Sequence, residues 1–445
     1  METKNPITAC ELESFKKSYL DDSHKRSLTH IFSKTPLTDL AFDPVAARNM
    51  QFKFSTDIKT MTATNQKQSG RCWLFAATNV LREIIAKKKN LADFELSQSY
   101  LAFWDKFERI NYFLDSIIDT ADRPDGDRTV DYILEVGVHD GGQWDMFVNI
   151  VKKYGIVPKH AMPETAQTSA TAQLNRHINA FLKKKACELR SAIAGGAEKC
   201  EIENIRKNAL DKAFSFLCEC YTLPPESFDF EYVDKDGTYH IERGYTPISF
   251  RDEMIGDMLS DYVSIINAPT KDKPFDRLYT VAYLGNVAGM DSIRYLNLDM
   301  SEFKSIVRRQ LEDGEVVWFG SDCGKCGDRT DKIWDDASFD YDLLTGLDTD
   351  MTKEQMLDYH LSQMNHAMVL TGVNISDGQP NRWKIENSWG SDGTNGGYHI
   401  ASDSWFEKYV FQAVVNKKYL GEKAKLLDGD VTVLLPWDPM GSLAD

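Results

Sequence analysis

Apolar residues in the first half of the chain recur every three to four positions, the spacing of one face of an α-helix. The best-defined helix begins at or beside Cys72, and its apolar face consists of Trp73, Ala77, Val80, Leu81, Ile84 and Ile85. The same spacing predicts an aromatic-rich helix over 96–113, a helix after the Gly141-Gly142 pair, and two amphipathic helices over 174–193 and 202–217.

The second half of the chain has short apolar runs, which are typical of buried strands. They predict strands at 316–320, 367–374, 383–386, 398–401 and 431–435, and a hairpin over 228–241 around the turn D-K-D-G. Two further helices are expected at 247–266 and 353–364. A helical half followed by a strand-rich half predicts an α+β protein.

Composition narrows the class of protein. With 445 residues the chain is expected to form two or three packed units. Its 52 basic and 68 acidic residues give a net charge of −16, which disfavours nucleic acid as a partner. No apolar run is long enough for a membrane helix, and the start has no apolar signal segment. We therefore expect a cytoplasmic protein without a membrane partner.

A candidate nucleophile lies in N-Q-K-Q-S-G-R-C-W-L-F, residues 65–75. Cys72 is predicted at a helix start, where free backbone N–H groups and the helix dipole favour a thiolate. Gln66 lies in the loop before it and has a side-chain amide that can donate to an oxyanion. The alternative is an inert, buried cysteine, which is the commoner role of a single cysteine.

Two downstream segments supply the partners that a cysteine nucleophile requires. His366 begins the apolar run of N-H-A-M-V-L-T-G-V, and Asn387 ends the strand-like W-K-I-E-N-S-W-G. An imidazole can share the thiol proton, and an amide can orient the imidazole ring. Each residue alone could be structural, as a core histidine or a turn asparagine, but the three together predict catalysis. His360 is the competing imidazole, and it falls in a helical pattern rather than at the head of a strand.

No metal or cofactor is predicted. Cys323 and Cys326 form a lone C-G-K-C in a predicted Gly-rich loop, without the second pair that a zinc site would need, and we interpret them as structural. The D-K-D-G turn lacks the remaining calcium ligands of an EF-hand.

These motifs resemble the papain-type cysteine peptidases. Four other segments resemble the bleomycin hydrolase/aminopeptidase C branch specifically: E-L-S-Q-S-Y-L-A-F-W-D-K, G-G-Q-W-D-M, Y-G-I-V-P-K and the terminal P-W-D-P-M-G-S-L-A-D. The resemblance implies a two-lobe fold, with a helical lobe, a β-barrel-like lobe and a helical insertion. Secreted papain relatives carry a disulfide cysteine three residues before the nucleophile. Here that position is Ser69, which favours a reducing compartment.

A domain plan follows from the resemblance. It comprises an N-terminal extension packed on the catalytic domain (1–60), a helical lobe (61–164), an inserted helix-and-hairpin subdomain (165–291), a β-rich lobe (292–436) and a C-terminal arm in the active-site cleft (437–445). His366 follows Cys72 by 294 residues, against about 130–150 in papain-type enzymes, and the insertion accounts for the excess. We expect this insertion to make subunit contacts, and the resemblance implies a homohexamer.

The implied activity is that of a cysteine aminopeptidase acting on short peptides with a free N-terminus, with hydrolysis of bleomycin-like amides as a side activity. Cys72, His366, Asn387 and Gln66 are the implied catalytic residues, Trp389 shields the His366–Asn387 bond, and Gly141 and Gly142 bind substrate. The resemblance also implies that Ala444 and Asp445 lie in the cleft, where the terminal carboxylate would meet the substrate ammonium. The alternatives are an endopeptidase on the same scaffold and a non-catalytic peptide-binding assembly.

Overall fold

The computed structural model describes residues 5–444. Its helices are α1 Ala9–Asp21, α2 Ser23–Phe32, α3 Leu37–Ala41, α4 Pro44–Ala47, α5 Cys72–Lys89, α6 Gln98–Asp119, α7 Arg128–Val136, α8 Trp144–Tyr154, α9 Ala172–Ala194, α10 Lys199–Tyr221, α11 Pro247–Met254, α12 Met300–Glu312, α13 Tyr341–Thr345, α14 Lys353–Asp358 and α15 Asp403–Tyr409. Its strands are β1 Thr56–Asp57, β2 Phe228–Val233, β3 Tyr239–Tyr245, β4 Tyr262–Ile266, β5 Arg277–Val281, β6 Tyr295–Asn297, β7 Val317–Ser321, β8 Gly327–Asp328, β9 Ile333–Trp334, β10 His366–Ser376, β11 Gln379–Glu386, β12 Tyr398–Ser402, β13 Val410–Asn416 and β14 Val431–Leu434. The α+β class predicted from the sequence is confirmed.

A mixed sheet of twelve strands forms the β-rich part of the described residues. Its order is β14-β5-β6-β4-β13-β7-β10-β11-β12-β9-β8, and β1 also pairs with β10. β10 is an interior strand, antiparallel to β7 on one side and to β11 on the other. His366 therefore begins an interior strand, and Asn387 follows the end of the strand beside it.

Helices cover this sheet because their apolar faces need burial. α5 packs against β10, and α6 and α8 pack against α5. One continuous apolar cluster joins these helices to α9 and α10, while a second cluster joins the sheet to α12 and α15. The long helix α9 buries its apolar stripe against α6, and the buried side chains are Leu174, Ile178, Leu182, Ala186 and Leu189.

Residues 5–49 and 335–350 form a separate compact unit. Thr8 and Glu11 make a capping box that begins α1, and the side chain of Asp43 caps α4. Within this unit Phe42 and Phe339 pair edge to face, with ring centroids 5.5 Å apart.

Two sequence predictions about helices are wrong. The helix expected over 247–266 ends at Met254, because Gly256 has a left-handed φ of +55°, and the following Tyr-Val-Ser-Ile-Ile forms β4. The helix expected over 353–364 ends at Asp358, since His360 has φ +56° and the Leu361 N–H bonds back to the Met356 carbonyl. The hairpin around D-K-D-G forms as predicted, as β2 and β3.

Within residues 5–444, every helix is too short or too polar to cross a membrane.

Candidate active site

Cys72 is the first residue of α5, as the sequence predicted. Hydrogen bonds of Arg71 hold the loop that precedes it. The buried Arg71 guanidinium makes a two-pronged bond to Glu164, at 3.2 and 2.8 Å, and also donates to the Thr168 carbonyl at 2.8 Å. Glu164 and Thr168 thus brace the residue immediately before Cys72.

His366 and Asn387 are brought together by the pairing of β10 with β11. His366 Nε2 donates to Asn387 Oδ1 over 2.8 Å, and that oxygen also accepts the Ser388 N–H at 2.8 Å. The indole of Trp389 stacks on the imidazole, with ring centroids 5.1 Å apart and planes 26° apart. The Arg329 guanidinium lies 5.0 Å from the same indole. The imidazole is therefore fixed both in its plane and over its face.

Two hydrogen bonds tie the nucleophile loop to the strands that carry His366 and Asn387. The Ala367 N–H donates to Cys72 Sγ over 3.4 Å, which places the sulfur beside the start of β10. Gln66 accepts the Ser388 hydroxyl on its Oε1 at 2.6 Å and donates its Nε2 to the Ser69 carbonyl at 2.6 Å. Because Ser388 fixes the orientation of the Gln66 amide, the second Nε2 hydrogen is held in one direction.

Burial shifts the pKa of both the Cys72 thiol and the His366 imidazole. Cys72 and His366 are only 4% and 5% exposed. Burial raises the pKa of the Cys72 thiol to about 11, opposed by the Ala367 N–H and the N–H groups at the start of α5. Burial lowers the pKa of His366 to about 4, although the bond to Asn387 works in the other direction. Across the neutral range the pair therefore holds one proton, and these pKa directions place it on the sulfur, so the resting form is the thiol and not the thiolate that the helix start predicted. The imidazole, which is neutral, is then the base that takes this proton when the sulfur attacks.

The two glycines after Asp140 differ in how free their backbone groups are. The Gly141 N–H donates to His139 Nδ1 at 3.3 Å, and its carbonyl accepts from Arg109. Gly142 makes no such bond within residues 5–444, but it is buried, whereas Gly141 is half-buried. A Cβ on Gly142 would lie 2.4 Å from the Trp73 indole, which is why only glycine fits. Substrate binding by Gly141 and Gly142 stays a prediction.

The C-terminal arm ends in a 3-10 helix, Pro439–Ala444. Met440 and Leu443 are buried, and Leu443 lies 3.5 Å from the position a Cβ would take on Gly320 of β7. The Ser442 hydroxyl donates to the carbonyl of Met364, two residues before His366, at 2.8 Å. The described part of the arm therefore packs beside β7 and the residues just before His366. Asp445 lies outside the described residues, as does any contact of its carboxylate.

The competing candidates lie elsewhere or are held by the fold. His360 is exposed in the loop after α14. Cys323 and Cys326 follow β7 in the predicted Gly-rich loop, where the Cys323 N–H donates to Asn365 Oδ1 at 3.1 Å. Among the described residues no group of three acidic, histidine or cysteine side chains has the arrangement of a metal site.

Comparisons with known proteins agree with this geometry. The model of the Peptidase C1-like family matches residues 6–441. The chain belongs to that family. Aminopeptidase C of Lactobacillus delbrueckii subsp. lactis is 47% identical over 88% of each chain, and aminopeptidase C of Listeria innocua is 44% identical over 98% of this chain and 99% of its own. Bleomycin hydrolase of Mus musculus is 40% identical over 86% of each chain.

A solved structure of a relative has the same fold as this chain. The crystal structure of PepW from Lactobacillus rhamnosis superposes with a TM-score of 0.96, at 44% identity and covering 99% of both chains. The protein is thus a cysteine peptidase on a papain-like scaffold. The resemblance to the bleomycin hydrolase/aminopeptidase C branch, stated from the sequence motifs, is confirmed.

Sequence reasoning missed three contributors to the site. The Ser388 hydroxyl and the Ala367 N–H stand next to predicted residues, and a role for each could have been inferred from its neighbour. Asp140 directly precedes the quoted G-G-Q-W-D-M motif, but its partners come from distant helices, so no local pattern reveals it.

Proposed function

We propose that this protein is a thiol aminopeptidase that removes N-terminal residues from short peptides and hydrolyses bleomycin-like amides as a side activity. The observation that carries the proposal is the C-terminal arm, buried next to β7 and bonded to Met364 two residues before His366. An arm in that position narrows the cleft on one side of the scissile bond. Restricting the cleft in this way leaves room for only one substrate residue on the N-terminal side of the scissile bond.

In the proposed reaction, Cys72 Sγ attacks the carbonyl carbon of the first peptide bond. His366 Nε2 is hydrogen-bonded to Asn387, so the other ring nitrogen, Nδ1, takes the thiol proton and passes it to the leaving amine. The free hydrogen of Gln66 Nε2 and the Cys72 backbone N–H stabilise the oxyanion. Water, activated by His366, then releases the acyl group and restores the thiol.

The specificity for a free N-terminus needs a negative group near the substrate ammonium. We assign this role to the terminal carboxylate, with the Asp445 side chain adding a second negative charge. The arm is anchored for this purpose: the Met440 carbonyl accepts from the Tyr295 hydroxyl at 3.2 Å, and Asp438 pairs with the buried Lys273 ammonium at 2.9 Å.

The test pairs an aminoacyl amide with its N-acetylated twin on full-length protein and on a form lacking residues 441–445. We expect the full-length protein to cut only the free-amine substrate, and the truncated form to accept both. Asp445→Asn separates the two proposed charges, because it keeps the terminal carboxylate and removes only the side-chain charge. Equal cleavage of both substrates by the intact protein would make it an endopeptidase.

We further propose a cytoplasmic homohexamer in which the inserted helices α9 and α10 and the hairpin make subunit contacts. Large apolar side chains at their surface support this, since Leu223, Val233 and Tyr239 are 67%, 55% and 57% exposed. All eight cysteines are free thiols, which suits a reducing compartment. Sedimentation equilibrium tests the assembly, and a monomer at micromolar concentration would contradict it.

A further inference from the structure

Asp140 is a buried carboxylate that the mechanism above does not use. It directly precedes Gly141-Gly142, and its side chain is 5% exposed. Four groups donate to it. Oδ1 accepts from Lys106 Nζ and Asn175 Nδ2, each at 3.0 Å, and Oδ2 accepts from the Gly70 N–H at 3.1 Å and from the Thr171 hydroxyl. A carboxylate with this many donors is held in one orientation.

Two of the contacts of Asp140 flank the nucleophile. The Gly70 N–H lies two residues before Cys72, and the Trp73 indole N–H, one residue after Cys72, donates to the Asp140 carbonyl at 2.6 Å. The approach to Gly70 is close, because a Cβ there would stand 3.0 Å from the Asp140 Cβ. The loop that carries Cys72 is therefore bonded on both sides to the residue that begins the glycine segment.

The remaining partners of Asp140 anchor it to elements away from the cleft. Lys106 belongs to α6 and also donates to the His139 carbonyl at 3.2 Å, while Thr171 and Asn175 stand at the start of α9. Burial alone would raise the pKa of Asp140, but the Lys106 ammonium and the neighbouring donors hold it well below its usual range. Asp140 is thus a charged anchor at neutral pH.

We propose that Asp140 is a positioning residue that sets the spacing between the Cys72 nucleophile and the Gly141-Gly142 segment that meets the substrate. The inference rests on the proposed function, because it concerns the alignment of a bound peptide with the sulfur. A displacement of about 1 Å between reacting groups can cost about 100-fold in rate. The carboxylate of Asp140 holds the chain before Cys72 through Gly70, and its main-chain carbonyl holds the residue after Cys72 through Trp73, so loosening the carboxylate frees one of these two links.

Asp140→Asn is the direct test, since the amide has nearly the same shape but replaces one acceptor by a donor that faces the N–H groups. We expect turnover of a free-amine aminoacyl amide to fall at least tenfold in kcat/KM, with kcat carrying most of the loss. Labelling of Cys72 by iodoacetamide needs no glycine segment and is not expected to slow, because the Asp140 charge contributes to raising the pKa of the Cys72 thiol and its removal favours the thiolate. Asp145→Asn, at a carboxylate whose recorded bond is to the Arg294 N–H at 3.1 Å, is the control and should change neither quantity.

A second pair of variants keeps the test decisive if Asp140→Asn does not fold. Thr171→Val removes one donor to Asp140, and Thr171→Ser keeps it. We expect about a threefold loss of kcat/KM in the valine variant and near-complete retention in the serine variant. Unchanged turnover in both Asp140→Asn and Thr171→Val, or equal losses of labelling and turnover, would overturn the assignment. Wild-type protein that labels at Cys72 but turns over no free-amine substrate would instead refute the proposed function.

Discussion

Gly142→Ala is the substitution that most directly tests how closely the nucleophile helix packs against the glycine segment. The new Cβ would lie 2.4, 2.6 and 2.6 Å from three atoms of the Trp73 indole, where ordinary contacts begin at about 3.4 Å. Trp73 cannot yield, because it is fully buried, its indole N–H bonds to Asp140, and its carbonyl accepts from Trp318 at 3.2 Å. The backbone at residue 142 must therefore move by about 1 Å.

The size of the effect follows from that displacement. A shift of about 1 Å in a substrate-binding group costs about 100-fold in rate, and overpacking a core costs about 1–3 kcal/mol. We expect kcat/KM for an aminoacyl amide to fall about 100-fold, while urea denaturation shows the free energy of unfolding lower by about 2 kcal/mol. The assay also follows iodoacetamide labelling of Cys72, which should remain near the wild-type rate.

Gly195→Ala is the matched control for this variant. Gly195 caps the end of α9 with an ordinary φ of −76°, and a Cβ there would meet the carbonyls of Ser191 and Ala192, at 3.2 and 3.4 Å. We expect it to keep wild-type turnover. Wild-type kcat/KM in Gly142→Ala would refute the reasoning, since it would mean that the glycine segment does not meet the substrate.

Two other variants address the imidazole and the packing beneath it. Asn387→Ala removes the acceptor of the hydrogen bond from His366 Nε2. Because a bond to a charged imidazolium is worth about 1.5–3 kcal/mol, kcat should fall about 10- to 100-fold in steady-state assays. An unchanged kcat would contradict the orienting role of Asn387. Arg82→Met leaves buried Glu386 without its cation, 2.7 Å away, and should lower the free energy of unfolding by about 3–5 kcal/mol. Burial raises the pKa of Glu386 to about 7 even beside Arg82, so the loss should shrink as pH falls from 8 to 5 and the carboxyl takes up a proton; urea titrations showing a larger loss at pH 5 would exclude this cause.

The elements that the sequence predicted well have local signals. The apolar stripe after Cys72 and the short apolar runs after His366 and before Asn387 are strong periodic patterns, and α5, β10 and β11 form where they were expected. Where periodicity is ambiguous, prediction failed. The run at 262–266 is apolar and short, and only its pairing with β13 and β6 makes it a strand.

In the candidate site, too, the residues with local sequence signals were predicted and those held by distant contacts were not. The chain order of Cys72, His366 and Asn387 and their local settings were open to sequence reasoning. The role of Asp140 was not, because its donors come from residues 34 positions before it and 35 positions after it. Nor could the sequence tell that the Gly141 carbonyl is already bonded within the protein, since Arg109 reaches it from the middle of α6.

The central claim, that Cys72 is the nucleophile of this peptidase, is tested most directly by trapping its acyl-enzyme. An aminoacyl aryl ester would be mixed with the protein, quenched in acid within milliseconds, and the digest mapped by mass spectrometry. We predict one acyl group per chain on Cys72, and greater accumulation in Asn387→Ala, where water attack is slower. An acyl group on Cys323, or turnover of the ester with no acylated cysteine, would contradict the account.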